Sequence, residues 1–300
     1  MSKPHSSDPV PVARNIGHYL SNLAIVGLIK AALMLPYEAR VRFVGAAVER
    51  VIGPLAGYRR RALDNLALIW PQMPALERAL IARHCLNNVG RTFIENYSSR
   101  EFAAQTASNR VSGAGIAPLE AAVAKGRPVI LVSGHYGNFE AVRAALVARG
   151  VTLGILYRNM ANPYFNDHYV KVLEGYGGPA FAQGRRGLGG FLRHLKSGGQ
   201  VAMLLDQHVF DAEQYDFLGQ PANTSASAAE LALRYEALLV PFYGIRQPDG
   251  LTFETVLEAP VPHSDPVTMT QALTDSLAAR VRADPAQWFW VHRRWRPQEP

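Results

Sequence analysis

A histidine and a glutamate in the stretch VILVSGHYGNFEAVRAAL, residues 129 to 146, are the first pair able to do acid–base chemistry together. The apolar run 129–133 has the pattern of a buried strand, Gly134 and Gly137 permit a tight turn, and Asn138 suits the N-cap of a helix that follows. His135 and Glu140 are five residues apart, about 500° around one continuous helix, which would set them on different faces. They converge only if the helix begins between them. Glu140, in its first turn, then accepts a hydrogen bond from one imidazole nitrogen and leaves the other free as a base. In open α/β sheets, sites gather beyond the carboxyl ends of strands, where His135 falls. A histidine merely satisfied in a turn is the competing explanation; strand, turn, cap and glutamate together favour catalysis.

No nucleophile stands beside this base. Ser133 lacks the spacing of a nucleophile elbow, since LVSGH is not G-x-S-x-G, and the single cysteine, Cys85, lies far upstream and suits a small buried hydrophobe. The attacking group is therefore expected on a substrate, with His135 removing a hydroxyl proton and no covalent enzyme intermediate. His135, Glu140, Asp206 and His208 offer nitrogen and oxygen donors, but no tight metal spacing joins them, and no metal is expected. Asp206 and Gln207 end the run VAMLLDQ, as a site wall or as simple strand termination. Arg158 ends VTLGILYR, and Arg185 precedes a helix in AQGRRGLGG, so either can face the crevice of His135 and hold a phosphorylated donor or lipid headgroup. Near the end, DPAQWFWVHRRWRPQEP sets aromatics beside His292, Arg293, Arg294 and Arg296. That mixture suits a membrane interface, an anionic headgroup pocket or a packed terminal helix with a basic face.

The elements that must position these residues follow from periodicity. Strand-like runs at 127–134, 151–158, 200–207, 238–246 and 251–260 alternate with helical candidates at 138–149, 163–176, 188–197 and 225–236. The expected fold is α/β: a mixed, mostly parallel central sheet flanked by helices, with an N-terminal helical extension and an antiparallel pair across QPDG. Three regions are expected: residues 1–35, a loose tail and an apolar membrane-associating helix; 36–110, helices packed on the catalytic domain; and 111–300, the α/β domain. A helix over residues 20–35 would be about 24 Å long against a hydrocarbon core of ~30 Å, which favours a partly inserted anchor over a full span, with a core helix as the alternative. The formal net charge of +7 comes mainly from arginine and suits anionic partners. Nucleic acid is not expected, because RRR at 59–61 is the longest basic run and no recognition motif accompanies it.

In order along the chain, these motifs resemble the lipid A biosynthesis acyltransferase family, the lauroyl and myristoyl transferases of the wider glycerolipid acyltransferase fold group. The resemblance runs from about Pro36 to Arg296. GHYGNFE is similar to the family's H-x4-E element, YRNMANPYFN to its arginine segment, GRRGL to its basic turn, LLDQ to its aspartate–glutamine element, FLGQPANTSASAAELALR to its small-residue segment, and PAQWFWVHRRW to its closing signature. It implies transfer of a fatty acyl chain from acyl carrier protein, or from acyl-CoA, to a hydroxyl of a lipid acceptor at the cytoplasmic face of the inner membrane. A lipid A precursor in lipopolysaccharide biosynthesis is the first candidate acceptor; another glycolipid or a lysophospholipid is the alternative, as is a hydrolase on the same scaffold. No cofactor beyond the acyl donor is implied. Carried over, His135 is the general base, Glu140 orients it, Arg158 holds the donor or the developing oxyanion, and Arg185, Asp206, Gln207, Thr224 and Arg293 line the pocket.

Overall fold

The computed structural model describes residues 12–160 and 162–295. Its strands in chain order are β1 (Val111–Ser112), β2 (Val129–Ser133), β3 (Leu153–Tyr157), β4 (Ala180–Ala182), β5 (Gln200–Leu204), β6 (Gln214–Phe217), β7 (Gln220–Asn223), β8 (Leu238–Arg246) and β9 (Phe253–Leu257). Seven of them form one sheet in the order β1-β9-β8-β2-β5-β3-β4, and β6 pairs with β7 as a separate hairpin. Every neighbour in the large sheet is parallel except β8 and β9, which run antiparallel across the QPDG turn. The mixed, mostly parallel α/β sheet expected from the sequence is therefore present.

Strand β2 sits at the centre and is buried along its whole length. Its side chains alternate with the pleat. Ile130 and Val132 pack with Phe191, Leu195, Ala229 and Leu273, whereas Val129 and Leu131 pack with Leu119, Val142 and Leu146. Each fully buried aliphatic side chain here stabilises by about 1.5–3 kcal/mol, so neither face of β2 has room for a polar group. Chemistry is confined to the end of the strand.

The turn at that end is clamped from both sides. Gly137 has φ +58 and donates its N–H to the Gln287 carbonyl at 2.9 Å, and the Asn138 N–H donates to the Gly244 carbonyl at 2.9 Å. Asn138 then caps the helix Phe139–Val147, its side chain accepting the Glu140 N–H at 3.1 Å. The helix does start between His135 and Glu140.

Residues 37–106 are helical: Tyr37–Ala47, continued by a π-turn at Val48–Ile52 and by Gly53–Leu55, then Tyr58–Ile69, Ala75–Tyr97 and Ser99–Thr106. Ile69, Ile81 and Cys85 share a core with Tyr136, Trp288 and Trp290, so this layer covers the end of the sheet that carries His135. The N-terminal helix is longer than the sequence pattern implied. It runs Val12–Leu33, 22 residues, or about 33 Å, and its window Ile16–Leu33 has mean hydropathy 1.4 with 6% of it buried. Length and composition permit it to cross a bilayer as well as to lie on one. Residues 1–11 of the expected tail lie outside the described residues, and residues 12–15 belong to the helix.

Other features were not expected. The helix Pro266–Ala283 closes one face of the sheet, the β6–β7 hairpin stands beside it, and the terminal stretch, described through residue 295, forms no α-helix there. Beyond a single 3-10 turn at Pro285–Gln287 it is irregular, and its Trp288 and Trp290 point into the core instead of toward a membrane.

A methyl group at Gly137 would stand 1.9 Å from the Gly244 carbonyl oxygen, whereas at Gly126, whose φ is +63, nothing lies within 4 Å. Gly137→Ala should therefore destabilise by on the order of 3 kcal/mol or more and Gly126→Ala by about 1. Thermal unfolding followed by circular dichroism should show a midpoint drop of roughly 5–10 °C for the first and only a few degrees for the second.

Candidate active site

His135 is two residues past Ser133 on β2, and Asp206 is two residues past Leu204 on β5; Ser133 and Leu204 are paired in register. Continuing both chains at the same level brings the two side chains together. The Asp206 carboxylate accepts from His135 Nδ1 at 2.8 Å through Oδ1, and through Oδ2 from the His135 backbone N–H at 2.7 Å and the Trp288 indole N–H at 2.9 Å. Asp206 is fully buried, which by itself would raise its carboxyl; the charge and hydrogen bonds of His135 outweigh that and hold it well below the usual carboxylate range. An ionised carboxylate only accepts, so Nδ1 carries a proton, and in the neutral imidazole Nε2 is the nitrogen with the free lone pair. The imidazole is 23% exposed.

Glu140 does not fill the role expected for it. Its carboxylate is 3.3 Å from Arg143 Nη1 within the same helix, and the nitrogen it was expected to hold is bonded to Asp206. Burial raises the Glu140 carboxyl, with Arg143 pulling the other way. Arg143 in turn donates to the Gly177 carbonyl at 2.6 Å through Nη2. Glu140 thus ties the first turn of its helix to the loop before β4. Its spacing from His135 was compatible with pairing, but the register of β2 and β5 delivers a carboxylate directly opposite the imidazole.

Behind the turn lies a second buried pair. Arg246 grips both oxygens of Glu95, with Nη2 to Oε2 at 2.8 Å, and Asn138 Nδ2 donates to Glu95 Oε2 at 2.9 Å. Gln287 bonds the Arg246 backbone in both directions. Asn138 therefore caps the catalytic helix with one end of its amide and anchors it to the helical layer with the other.

The terminal segment supplies the walls. The His292 ring stands edge-on to His135 with centroids 4.4 Å apart, and Phe139 and Phe289 each lie 6.1 Å away. Arg294 is buried and donates to the Asn223 carbonyl at 2.6 Å, to the Gln207 carbonyl at 3.3 Å and to Thr224 Oγ1. Burial pushes its guanidinium down to about 10. Arg294, which the sequence reading named only within the basic terminal cluster, thus holds Thr224 and the Gln207 backbone; Arg293, which it singled out as a pocket residue, is exposed, as is the Gln207 side chain. Arg158 and Arg185 are exposed near the carboxyl ends of β3 and β4. Across the sheet edge the order is His135, Asp206, Arg158, Arg185, with neighbouring strands about 4.8 Å apart.

Chemically, a histidine whose Nδ1 is held by a buried carboxylate has the arrangement of an oriented general base. The two alternatives for an enzyme nucleophile are closed: Ser133 is fully buried and bonds the Gly134 carbonyl, and burial pushes the Cys85 thiol up to about 12. His135, Asp206 and His292 bring donor atoms within 4.8 Å of one another, a different set from the one considered in the sequence. Both Asp206 oxygens already accept N–H bonds, and a metal would have to displace His135 from one of them.

Burial first, then the charges of His135 and Arg294, lower His292 from 6.5 to about 4, with Asp206 opposing. Because the folded state resists this protonation, its contribution to stability is full above pH 6.5 and is lost as pH falls toward 4. Thermal midpoints measured from pH 7 to pH 4 should fall, and His292→Asn should flatten that decline by a few °C.

Comparison with known proteins identifies the family. A family model for the bacterial lipid A biosynthesis acyltransferases matches residues 12–297. The lipid A biosynthesis lauroyltransferase of Escherichia coli is 23% identical over 281 residues, covering 90% of each chain. The phosphatidylinositol mannoside acyltransferase of Mycobacterium tuberculosis is 25% identical over 240 residues, covering 77% of this chain and 75% of the relative, and the E. coli lipid A myristoyltransferase is 22% identical over 249 residues, covering 81% and 76%. Matched by the family model along nearly its whole length, the chain belongs to the bacterial lipid A biosynthesis acyltransferase family and is an acyltransferase.

Proposed function

We propose that the protein moves a fatty acyl chain from a thioester donor, acyl carrier protein or acyl-CoA, to a hydroxyl of a membrane glycolipid, a lipid A precursor being the first candidate. The observation that carries this is the His135–Asp206 pair with no enzyme nucleophile beside it among the described residues. His135 Nε2 takes the proton of the acceptor hydroxyl as the oxygen attacks the thioester carbonyl. The tetrahedral oxyanion collapses, the carbon–sulfur bond breaks, and the imidazolium returns the proton to the leaving thiolate. Asp206 fixes the tautomer and stabilises the imidazolium during that exchange, and its three N–H donors keep it ionised. Glu140 supports the helix that follows the base, through Arg143.

Arg158 and Arg185 supply positive charge along the same edge for the phosphate of the donor arm or of the acceptor headgroup, and Arg158, the nearer by strand order, can also stabilise the oxyanion. Arg293 adds charge at the rim. Work at the cytoplasmic face of the inner membrane fits a cytosolic thioester donor, a lipid acceptor and the apolar helix Val12–Leu33. The mycobacterial relative keeps a phosphatidylinositol mannoside in view as the acceptor class.

Purified protein with radiolabelled acyl carrier protein and an envelope lipid extract should give an acylated glycolipid; free fatty acid as the main product, independent of acceptor, would instead identify a hydrolase. His135→Ala should lower turnover by about 10³ or more, and Asp206→Asn by roughly 10²–10⁴, with circular dichroism unchanged. Glu140→Gln should cost much less turnover than Asp206→Asn, appearing mainly as lower thermal stability. The reverse ranking would return the orienting role to Glu140.

A further inference from the structure

The helix Tyr37–Ala47 and its continuation through the π-turn Val48–Ile52 to Leu55 lie antiparallel on Ala75–Tyr97. Their register is set by Gly90, where a methyl group would stand 2.6 Å from the Val44 carbonyl, by the 2.8 Å pair of Glu49 with Arg83, and by Gly53 against Leu86. The inner face is thereby accounted for. The outer face is apolar and bare: Phe43, Val51, Ile52 and Leu55 are exposed at 61, 55, 52 and 84%, and Leu76, at the start of the partner helix, at 74%.

Positions 43, 47, 51 and 55 of a regular helix would drift by about 40° per step and spiral off the stripe. The π-turn winds fewer degrees per residue and cancels part of that drift, so the apolar residues stay in line. Arg50 and Arg59 are exposed beside the stripe with no carboxylate partner among the described residues, and Arg60 has only Asp64 at 4.0 Å. The acids nearby are largely spent: Glu49 on Arg83 and Glu38 on Arg42, leaving Glu77 next to Leu76. An apolar stripe flanked by unpaired arginines is complementary to a bilayer bearing anionic headgroups, where the aliphatic side chains enter the acyl boundary and the guanidiniums meet phosphates.

We propose that this face, Phe43, Val51, Ile52 and Leu55 with Arg50 beside them, is a second membrane contact, separate from the helix Val12–Leu33, that seats the helical layer on an anionic bilayer. It rests on the reading of the acceptor as a membrane lipid and adds the surface by which the enzyme is oriented on that membrane. Two contacts would fix the tilt of the sheet edge relative to the lipid, which a single helix cannot do.

The full chain can report this directly. Cys85 is buried, so a Leu55→Cys variant takes a polarity-sensitive fluorophore at one place, with Phe43→Cys as a second site should the first fail to fold. Phosphatidylcholine–phosphatidylglycerol vesicles should shift the label to the blue, brominated acyl chains should quench it at least about twofold more than a label on Ser197→Cys, and phosphatidylcholine alone should do less. Arg50→Glu should weaken the shift on the anionic vesicles. A label that stays aqueous while the protein sediments with the vesicles would overturn the proposal. So would a concentration-dependent shift without vesicles, which would mark a second copy on this face. The label needs no turnover, so an inactive protein with a quenched label would sink the functional reading and leave this one standing.

Discussion

The site depends on one buried carboxylate. Asp206 accepts three N–H donors, two from His135 and one from Trp288, and is fully buried. An isolated carboxylate there would neutralise itself; three donors, one of them an imidazole that can become positive, keep it ionised. The same bonds fix the backbone and the ring of His135 together. Base orientation and charge stabilisation are therefore one arrangement, and it requires the end of β2, the end of β5 and the terminal segment to meet within hydrogen-bond reach.

That requirement explains much of the surrounding architecture. The Gly134–Asn138 turn has to deliver His135 sideways from a strand that is apolar on both faces, and the left-handed backbone at Gly137 does so because no methyl group obstructs the Gly244 carbonyl. Gln287 and the Glu95–Arg246 pair grip the back of the turn, and Arg294 grips the loops after β5 and β7. Breaking a buried pair such as Glu95–Arg246 would leave a charge without compensation, a cost of about 3–5 kcal/mol. The terminal segment, irregular in backbone, is held by side chains instead of by a ladder: Trp288 by Asp206, Trp290 by the Pro285 carbonyl, and Arg294 by three acceptors.

What the sequence made legible follows the range of the forces involved. The strands around 129–133 and 238–246 are continuous apolar runs, and the Asn138 cap is local chemistry, so all of these could be read directly. The helix Pro266–Ala283 had a signal as well, with Asp265 accepting the Thr268 N–H at 2.9 Å and Pro266 in the first turn, but the expected pattern stopped short of it. The β6–β7 hairpin turns through Leu218 at φ +61 and Gly219 at +86, and a leucine there gives no warning of a turn. Asp206 could be read as a site wall or a strand end; only the pairing of β2 with β5 decides, and strand order is a tertiary fact. Glu140 drew attention because it is near in sequence. In the same way Arg293 and Arg294 are indistinguishable as letters, and burial alone separates the exposed residue from the one that holds Thr224.

The division of labour between the two buried acids then has a physical basis. Glu140 and Asp206 are both deeply buried, yet burial raises the first while the second is held low. Glu140 faces one arginine at 3.3 Å, whereas Asp206 has three N–H donors at 2.7–2.9 Å. A carboxylate that must remain negative while a neighbouring imidazole gains and loses a proton needs the second environment. Asp206 has it, and the strand register that places it there is the same register that builds the core of the sheet. The proposed catalytic geometry is therefore tied to the pairing of β2 with β5, and a substitution able to slide one strand past the other would separate His135 from its partner before it disturbed either residue directly.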